Sequence, residues 1–182
     1  MTQSFLIRPT PIFRESYLDA LREGLSVGGR HTYDASEIAA VEQDFTSHLA
    51  RLDRDGQSPA AFGERTLPSV PANAFWLVEG ETFIGAVTIR SRIDTHLLAH
   101  FSGHLGYGVR PSMQGRGYGK RQLALALDIC RGMGIGIARL SCDVDNIASR
   151  RVIEANGGVL LRQCAPSWFV ESDYFLYEIP LI

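Results

Sequence analysis

Apolar residues recur every three or four positions in three stretches of the chain, which is the spacing of one face of an α-helix. The pattern predicts a first helix over residues 15–23 that ends at Gly24, and a longer one over residues 36–52 with Ser36 as its N-cap. A third helix is predicted over residues 118–133, where apolar side chains occupy most of the circumference. Such a helix is expected to be covered on more than one side.

Shorter runs rich in β-branched and aromatic residues predict strands. Residues 75–78 and 82–90 flank Glu79-Gly80-Glu81, and this spacing predicts a β-hairpin. A strand predicted over residues 104–110 leads directly into a glycine-rich segment. The other predicted elements are the strands 4–8, 138–144, 159–164 and 174–180 and the helix 148–155.

The order of these elements predicts an α/β fold with a mixed sheet. A chain of 182 residues is expected to form a single domain over residues 1–182. The proline-bearing stretch 53–74 is predicted to be a loop, and its length suggests a flap beside a substrate.

Composition and charge exclude several classes of protein. The chain is 45% hydrophobic and 21% charged, as globular proteins are, and its net charge of −2 gives no basic field for nucleic acid or anionic lipid. No apolar run approaches the roughly 20 residues of a membrane span, and the N-terminus lacks a signal-peptide pattern. Three cysteines without a CxxC pair favour a reducing compartment. We therefore expect a cytoplasmic protein that binds neither nucleic acid nor membrane.

The segment VRPSMQGRGYGK, residues 109–120, places three glycines at alternate positions between a predicted strand and a predicted helix. This arrangement aims backbone N–H groups and the positive end of a helix dipole at one point, which favours an anion such as phosphate. Lys120 stands where a dinucleotide fingerprint needs glycine, and Arg121 stands where a Walker loop needs serine or threonine. Alternatively, the glycines form only a tight turn.

The segment does match Q-x-x-G-x-G, as Gln114-Gly115-Arg116-Gly117-Tyr118-Gly119, and it follows the strand GHLGYGVRPS. Some thirty residues later the chain reads NIASRRVIEANGG, residues 146–158. With these two blocks the chain resembles the GNAT N-acetyltransferase superfamily, and in particular its bacterial branch of predicted acetyltransferases. The resemblance covers residues 75–160 best.

The resemblance implies a GNAT-like fold, in which helices flank a central, mostly antiparallel sheet with a parallel coenzyme-binding strand pair. It implies acetyl-CoA as co-substrate, with the pyrophosphate held by the glycine loop and the pantetheine arm paired with the preceding strand. An amide near Val109 would stabilise the oxyanion of the tetrahedral intermediate, and Gly106 and Gly108 would let the strand bulge. The implied coenzyme-binding residues are Tyr107, Gly108, Val109, Gln114, Gly115, Arg116, Gly117, Tyr118, Gly119, Asn146 and Ser149. Asn146 could also be only a helix cap.

Many members of the family supply a proton from a tyrosine at the position that Ile153 occupies here. Another group must donate the proton, or the thiolate leaves unaided. His104 is the first candidate for a catalytic base or proton relay, and Tyr107 is the second. Ser149 could touch the thiol or serve only as a cap, and Cys142 is expected to be an inert buried thiol.

The acceptor side is expected near two aromatic groups. The groups are His96, His100 and Phe101, and Trp168, Phe169 and Tyr174. A metal site on the histidines is rejected, because their spacing would need a helix where glycines argue for a strand. We expect acetyl transfer to an amine of a small molecule or peptide in a ternary complex. The oligomeric state stays open, and a homodimer is one assembly that the resemblance suggests. The alternative is a catalytically silent acetyl-CoA-binding module.

Overall fold

The fold is that of a computed structural model, which describes residues 3–28, 31–53, 60–62, 65–67, 70–94, 103–166 and 172–181. The strands are β1 (Phe5–Ile7), β2 (Ala60–Phe62), β3 (Arg65–Leu67), β4 (Ala72–Glu79), β5 (Thr82–Arg90), β6 (Leu105–Val109), β7 (Ile137–Asp143), β8 (Val159–Cys164) and β9 (Tyr174–Pro180). The helices are α1 (Arg14–Arg22), α2 (Ala35–Gln43), α3 (Phe45–Leu52), α4 (Tyr118–Gly132) and α5 (Ile147–Glu154). None of the helices described is long and apolar enough to cross a membrane.

The first sheet has the strand order β1-β4-β5-β6, and all neighbours are antiparallel. The predicted hairpin is confirmed, since β4 and β5 pair around a turn at Gly80. The predicted loop over residues 53–74 is wrong in part: β4 begins at Ala72, and β2 and β3 form a separate two-stranded ribbon.

The second sheet has the order β7-β9-β8, again with antiparallel neighbours. Every strand of the first sheet precedes residue 110, and every strand of the second follows residue 136. The expected parallel strand pair is not confirmed. Within the described residues, β6 and β7 share no ladder, and the two sheets meet at one antiparallel bridge, Gly103–Leu140.

The helix predicted over residues 36–52 is two helices. Asp44 leaves the helical conformation, with φ −133° and ψ 69°, and its carboxylate accepts a hydrogen bond from the N–H of Ser47 at 3.0 Å, which caps α3. The N-cap of α2 is Asp34, not Ser36, and forms a capping box with Glu37. Asp44 therefore ends one helix and starts the next.

Two apolar clusters cover the two faces of the first sheet. On one face, Trp76 stacks on Tyr17 of α1 at a ring distance of 4.6 Å, and α2 and α3 close this cluster. On the other face, α4 and α5 pack with β5, β6 and the second sheet, around residues such as Leu123 and Ile153 that are fully buried. The sheet is thus buried between two helical layers, which gives the glycine loop and α4 a rigid support.

Candidate functional site

The three loop glycines serve two different purposes. Gly115 and Gly117 have φ of 75° and 86°, a conformation that favours glycine, and no atom lies within 4 Å of a Cβ built at either position. At Gly119, a Cβ would lie 3.1 Å from the side chain of Val152 on α5. The first two glycines therefore shape a loop that faces open space, and the third lets α4 and α5 approach each other.

The N-terminus of α4 has no side-chain cap. Gly117 occupies the N-cap position, and no side chain bonds the N–H groups of the first turn. By contrast, Asp34 caps α2 and Asn146 caps α5. The N–H groups at the start of this fifteen-residue helix lie beside the exposed Arg116, an arrangement that favours an anion.

Side chains of the loop fix it to β4 and to β6. The Tyr118 hydroxyl donates to the carboxylate of Glu79, and this hydrogen bond raises the pKa of Tyr118. The amide of Gln114 donates to the carbonyl of Val109 at 3.1 Å. Both side chains are turned towards the protein, so neither crosses the open face of the loop.

The outer edge of β6 carries free backbone donors. The pairs Arg90–His104 and Arg110–Ile84 are hydrogen-bonded to β5, so alternation turns the polar groups of Tyr107 and Val109 towards the other edge. Their N–H groups have no partner within the described part of the chain. Oxyanion stabilisation requires such unpaired, fixed N–H donors.

Tyr107 and Ser149 meet between β6 and α5. Their hydroxyl groups form a hydrogen bond of 2.9 Å, in which either can donate. Burial raises the pKa of Tyr107 to about 12, and the hydrogen bond with Ser149 acts in the opposite direction. The phenol therefore keeps its proton at neutral pH.

Ile153 is fully buried in the core, and a Cβ on Gly158 would lie 2.4 Å from its side chain. Isoleucine has no hydroxyl group, so this position cannot supply a proton donor. Tyr107 instead reaches α5 from the facing strand and contacts it one turn before Ile153.

His104 is hydrogen-bonded to β7 through two groups and to β5 through a third. Its Nδ1 accepts a hydrogen bond from the N–H of Arg139 at 3.0 Å, its own N–H donates to the Arg139 carbonyl at 2.8 Å, and its carbonyl accepts from Arg90. Burial, with the cations of Arg139 and Arg90, lowers the pKa of His104 to about 4. A neutral ring whose Nδ1 is already hydrogen-bonded favours a structural role for His104. Its catalytic role stays a prediction.

The explanation of Gly106 and Gly108 by a bulge in β6 is wrong. The register of β5 and β6 runs without a shift, whereas the described bulge of this sheet lies in the β4–β5 pair at Leu77/Val78. A Cβ on Gly108 would lie 1.9 Å from the carbonyl oxygen of Ser26, and one on Gly106 would lie 3.5 Å from Gly28. Both glycines make room for residues 25–28, which we call the strap.

Sequence analysis missed the strap. Its residue Gly28 donates its N–H to the carbonyl of Tyr107 at 3.1 Å, so the strap lies directly beside the edge of β6. The alternate glycines of β6 were the only signal, because they show that another backbone comes close without showing which one.

The remaining predicted residues either pack inside the protein or lie outside the residues that the structure describes. Burial raises the pKa of the Cys142 thiol to about 11, as expected for an inert thiol. Tyr174 is buried at the start of β9. No group of residues that could hold a metal ion is found in the described ranges. The acceptor-side candidates that lie outside the described residues are His96, His100, Phe101, Trp168 and Phe169.

The chain belongs to the acetyltransferase (GNAT) family, whose model matches residues 38–157. This range contains the glycine loop, α4 and α5, the elements on which the resemblance rests. The protein is therefore an acyltransferase. A search of curated proteins gives no match.

Solved structures share the fold over nearly the whole chain. The microcin self-immunity acetyltransferase MccE, in complex with acetyl-CoA and AMP, is 14% identical, with a TM-score of 0.62 over 98% of this chain and 92% of that chain. The spermidine/spermine N-acetyltransferase SpeG from Vibrio cholerae is 15% identical, with a TM-score of 0.62 over 98% and 94%. RimL, a ribosomal-protein alpha-N-acetyltransferase in complex with coenzyme A, is 15% identical, with a TM-score of 0.62 over 99% and 95%. The mixed α/β architecture is thus that of GNAT acetyltransferases.

Proposed function

We propose that the protein transfers the acetyl group of acetyl-CoA to a primary amine of a small molecule or peptide, directly, in a ternary complex. The observation that carries this proposal is the uncapped N-terminus of α4 beside an edge of β6 with free N–H groups. Acetyl-CoA supplies an activated thioester, which needs an anion site for its phosphates and hydrogen-bond donors at its carbonyl.

The residues present fit the coenzyme. The open space at Gly115 and Gly117 would be filled by any side chain, and the free N–H groups of the first turn of α4 would hold the pyrophosphate. Val109 and Tyr107 would hold the thioester arm through their outward N–H groups. Asn146 caps the N-terminus of α5 by accepting the N–H of Ser149, and α5 packs against α4.

We assign Tyr107 as the proton donor. Its hydroxyl is protonated at neutral pH and bonded to Ser149, so it can donate a proton to the departing thiolate. The phenolate that remains would regain a proton, through Ser149, from the nitrogen of the acetylated amine, which must lose one. Ile153 cannot serve, and the Nδ1 of His104 is already bonded to β7.

A catalytically silent acetyl-CoA-binding module is the second candidate, and the buried Ile153 is the observation that favours it. The two proposals differ in turnover alone. A protein that binds acetyl-CoA but releases no coenzyme A with any amine would be such a module.

The names of two similar enzymes indicate which amines to test first. Spermidine represents the polyamines, and a peptide with a free N-terminus represents ribosomal proteins. A single domain over residues 1–182, a cytoplasmic location and a homodimer stay predictions.

The first experiment is a calorimetric titration of acetyl-CoA and coenzyme A into the purified protein. We expect one site with a dissociation constant in the micromolar range and a loss of at least about tenfold in affinity in Gly117→Val, because a branched side chain would fill the loop. Gly134→Val is the matched control, since Gly134 also has a positive φ and open surroundings but lies beyond the far end of α4. Equal affinity of the two variants for acetyl-CoA would mean that the coenzyme does not bind at this loop.

A further inference from the structure

A partly shielded ion pair joins the end of α1 to the end of β6. The Nε and Nη2 atoms of Arg110 lie 2.8 Å and 2.6 Å from Oε1 of Glu23. The side chain of Arg110 is 14% exposed and that of Glu23 is 28% exposed, whereas most of the described ion pairs are far more open. A pair shielded in this way keeps its geometry better than an exposed one.

Arg110 also holds the first turn of α1. Its Nη1 donates to the hydroxyl of Ser16 at 3.2 Å, and that hydroxyl accepts the N–H of Phe83 at 2.9 Å. One guanidinium thus connects both ends of α1 to the first sheet.

Glu23 reaches the segment in front of the glycine loop. Its Oε2 accepts the N–H of Ser112 at 3.0 Å, inside the 3-10 turn Pro111–Met113 that leads to Gln114. The hydrogen bond to Arg110 lowers the pKa of Glu23 to about 2. The carboxylate is therefore ionised throughout the physiological range.

Glu23 also lies two residues before the strap. After Gly24, which has a φ of 89°, the strap crosses β6 with the Ser26 carbonyl over Gly108 and the Gly28 N–H on the Tyr107 carbonyl. The residue that ends α1 just before the strap therefore also bonds the turn before the glycine loop.

We propose that Glu23 and Arg110 are positioning residues that hold the strap beside Tyr107 and the coenzyme loop in front of α4 as one unit. The inference rests on the proposed function for the identity of the ligand. The strap borders the edge of β6 at Tyr107, so its placement affects the room left there for the acceptor amine.

The test compares Glu23→Ala with Asp19→Asn, a control on the same helix whose ion pair with Arg22 is exposed and does not touch β6. Hydrogen exchange of the unliganded protein is read at the amides of Gly28 and Ser112. We expect about tenfold faster exchange at both in Glu23→Ala, as for the loss of one charge-assisted hydrogen bond, and no change in Asp19→Asn.

The second arm measures coenzyme A by calorimetry and then KM and kcat with a working amine. In Glu23→Ala we expect a dissociation constant raised about fivefold and a higher KM for the amine, with Glu23→Gln between Glu23→Ala and the natural protein. Equal exchange and equal affinity in Glu23→Ala and Asp19→Asn would overturn the inference. If the natural protein binds no coenzyme A but exchange at Gly28 and Ser112 still rises, the positioning role stands and the proposed function falls.

Discussion

Tyr107 contributes three groups to the site. Its phenol bonds Ser149, its carbonyl accepts from Gly28, and its N–H points to the same edge of β6 as that carbonyl. One residue thus connects α5, the strap and the proposed thioester position. A substitution that changes only the phenol can separate proton transfer from the two backbone contacts.

Tyr107→Phe should lower kcat at least about tenfold and leave coenzyme A affinity nearly unchanged, because it removes a proton donor but no backbone group. The control is Tyr177→Phe, which removes a phenol bonded to Glu154 instead. Steady-state kinetics and calorimetry measure the two effects. An unchanged kcat would mean that the thiolate leaves unaided or takes its proton from elsewhere.

Gln122 is a polar side chain that α4 buries completely, and neither atom of its amide has a hydrogen-bond partner among the described residues. Replacement by methionine keeps the volume and removes the unmet groups. Gln122→Met should therefore raise the free energy of unfolding by about 1 kcal/mol in urea. Gln163→Met, on an exposed strand, is the control. A fall in stability would show that the amide of Gln122 has a partner.

At the scale of the elements, α4 and the β4–β5 hairpin could be predicted because their periodicity is strong and their ends carry glycine. The break at Asp44 could not, because Val41, Phe45 and Leu49 continue one apolar stripe across it. The pattern of buried positions reports which face is inside, and it does not report a local change of backbone direction.

The positions of some candidate site residues were predictable in the same way. The glycine loop and Asn146 carry a motif and lie at the starts of α4 and α5. The strap carries no motif, since Ser26 acts through its backbone carbonyl, which every residue possesses. Contacts between backbones leave a trace only in the glycine that permits them.

Substitutions of Asn146 test whether this residue caps α5, binds the coenzyme or does both. Asn146→Ala should lower the free energy of unfolding by about 1 kcal/mol, because the N–H of Ser149 loses its acceptor. Asn146→Asp should restore stability, since a carboxylate also caps. If Asn146 also binds the coenzyme, affinity for coenzyme A falls in both variants. A coenzyme affinity that follows stability alone would leave Asn146 as a cap only.

For the whole molecule, two buried histidines, His48 on α3 and His104 just before β6, make stability depend on pH in mild acid. His48 bonds the Tyr17 hydroxyl at 2.9 Å and His104 bonds β7. Burial lowers the pKa of both to about 4 from 6.5. Between these values the unfolded chain binds protons that the folded protein does not, so stability falls as pH decreases through this window.

Urea unfolding between pH 7 and pH 4.5 should show this loss, which can reach up to roughly 3 kcal/mol per histidine near the lower limit. Replacing His48 or His104 by asparagine should flatten the pH dependence by the share of that residue. Glu23, with a pKa of about 2, loses its contribution only below about pH 4.5, so it does not interfere. An unchanged slope in both variants would mean that the histidines titrate normally.

The seam between the two sheets gives the chain a natural point of division. Because all strands of the first sheet precede residue 110 and all strands of the second follow residue 136, a cut in residues 133–136 divides neither sheet. The two fragments would meet again through α4, α5 and the Gly103–Leu140 bridge. Such a pair of fragments could be produced separately and made to reassemble on demand, with acetyl transfer as the signal that the halves have met.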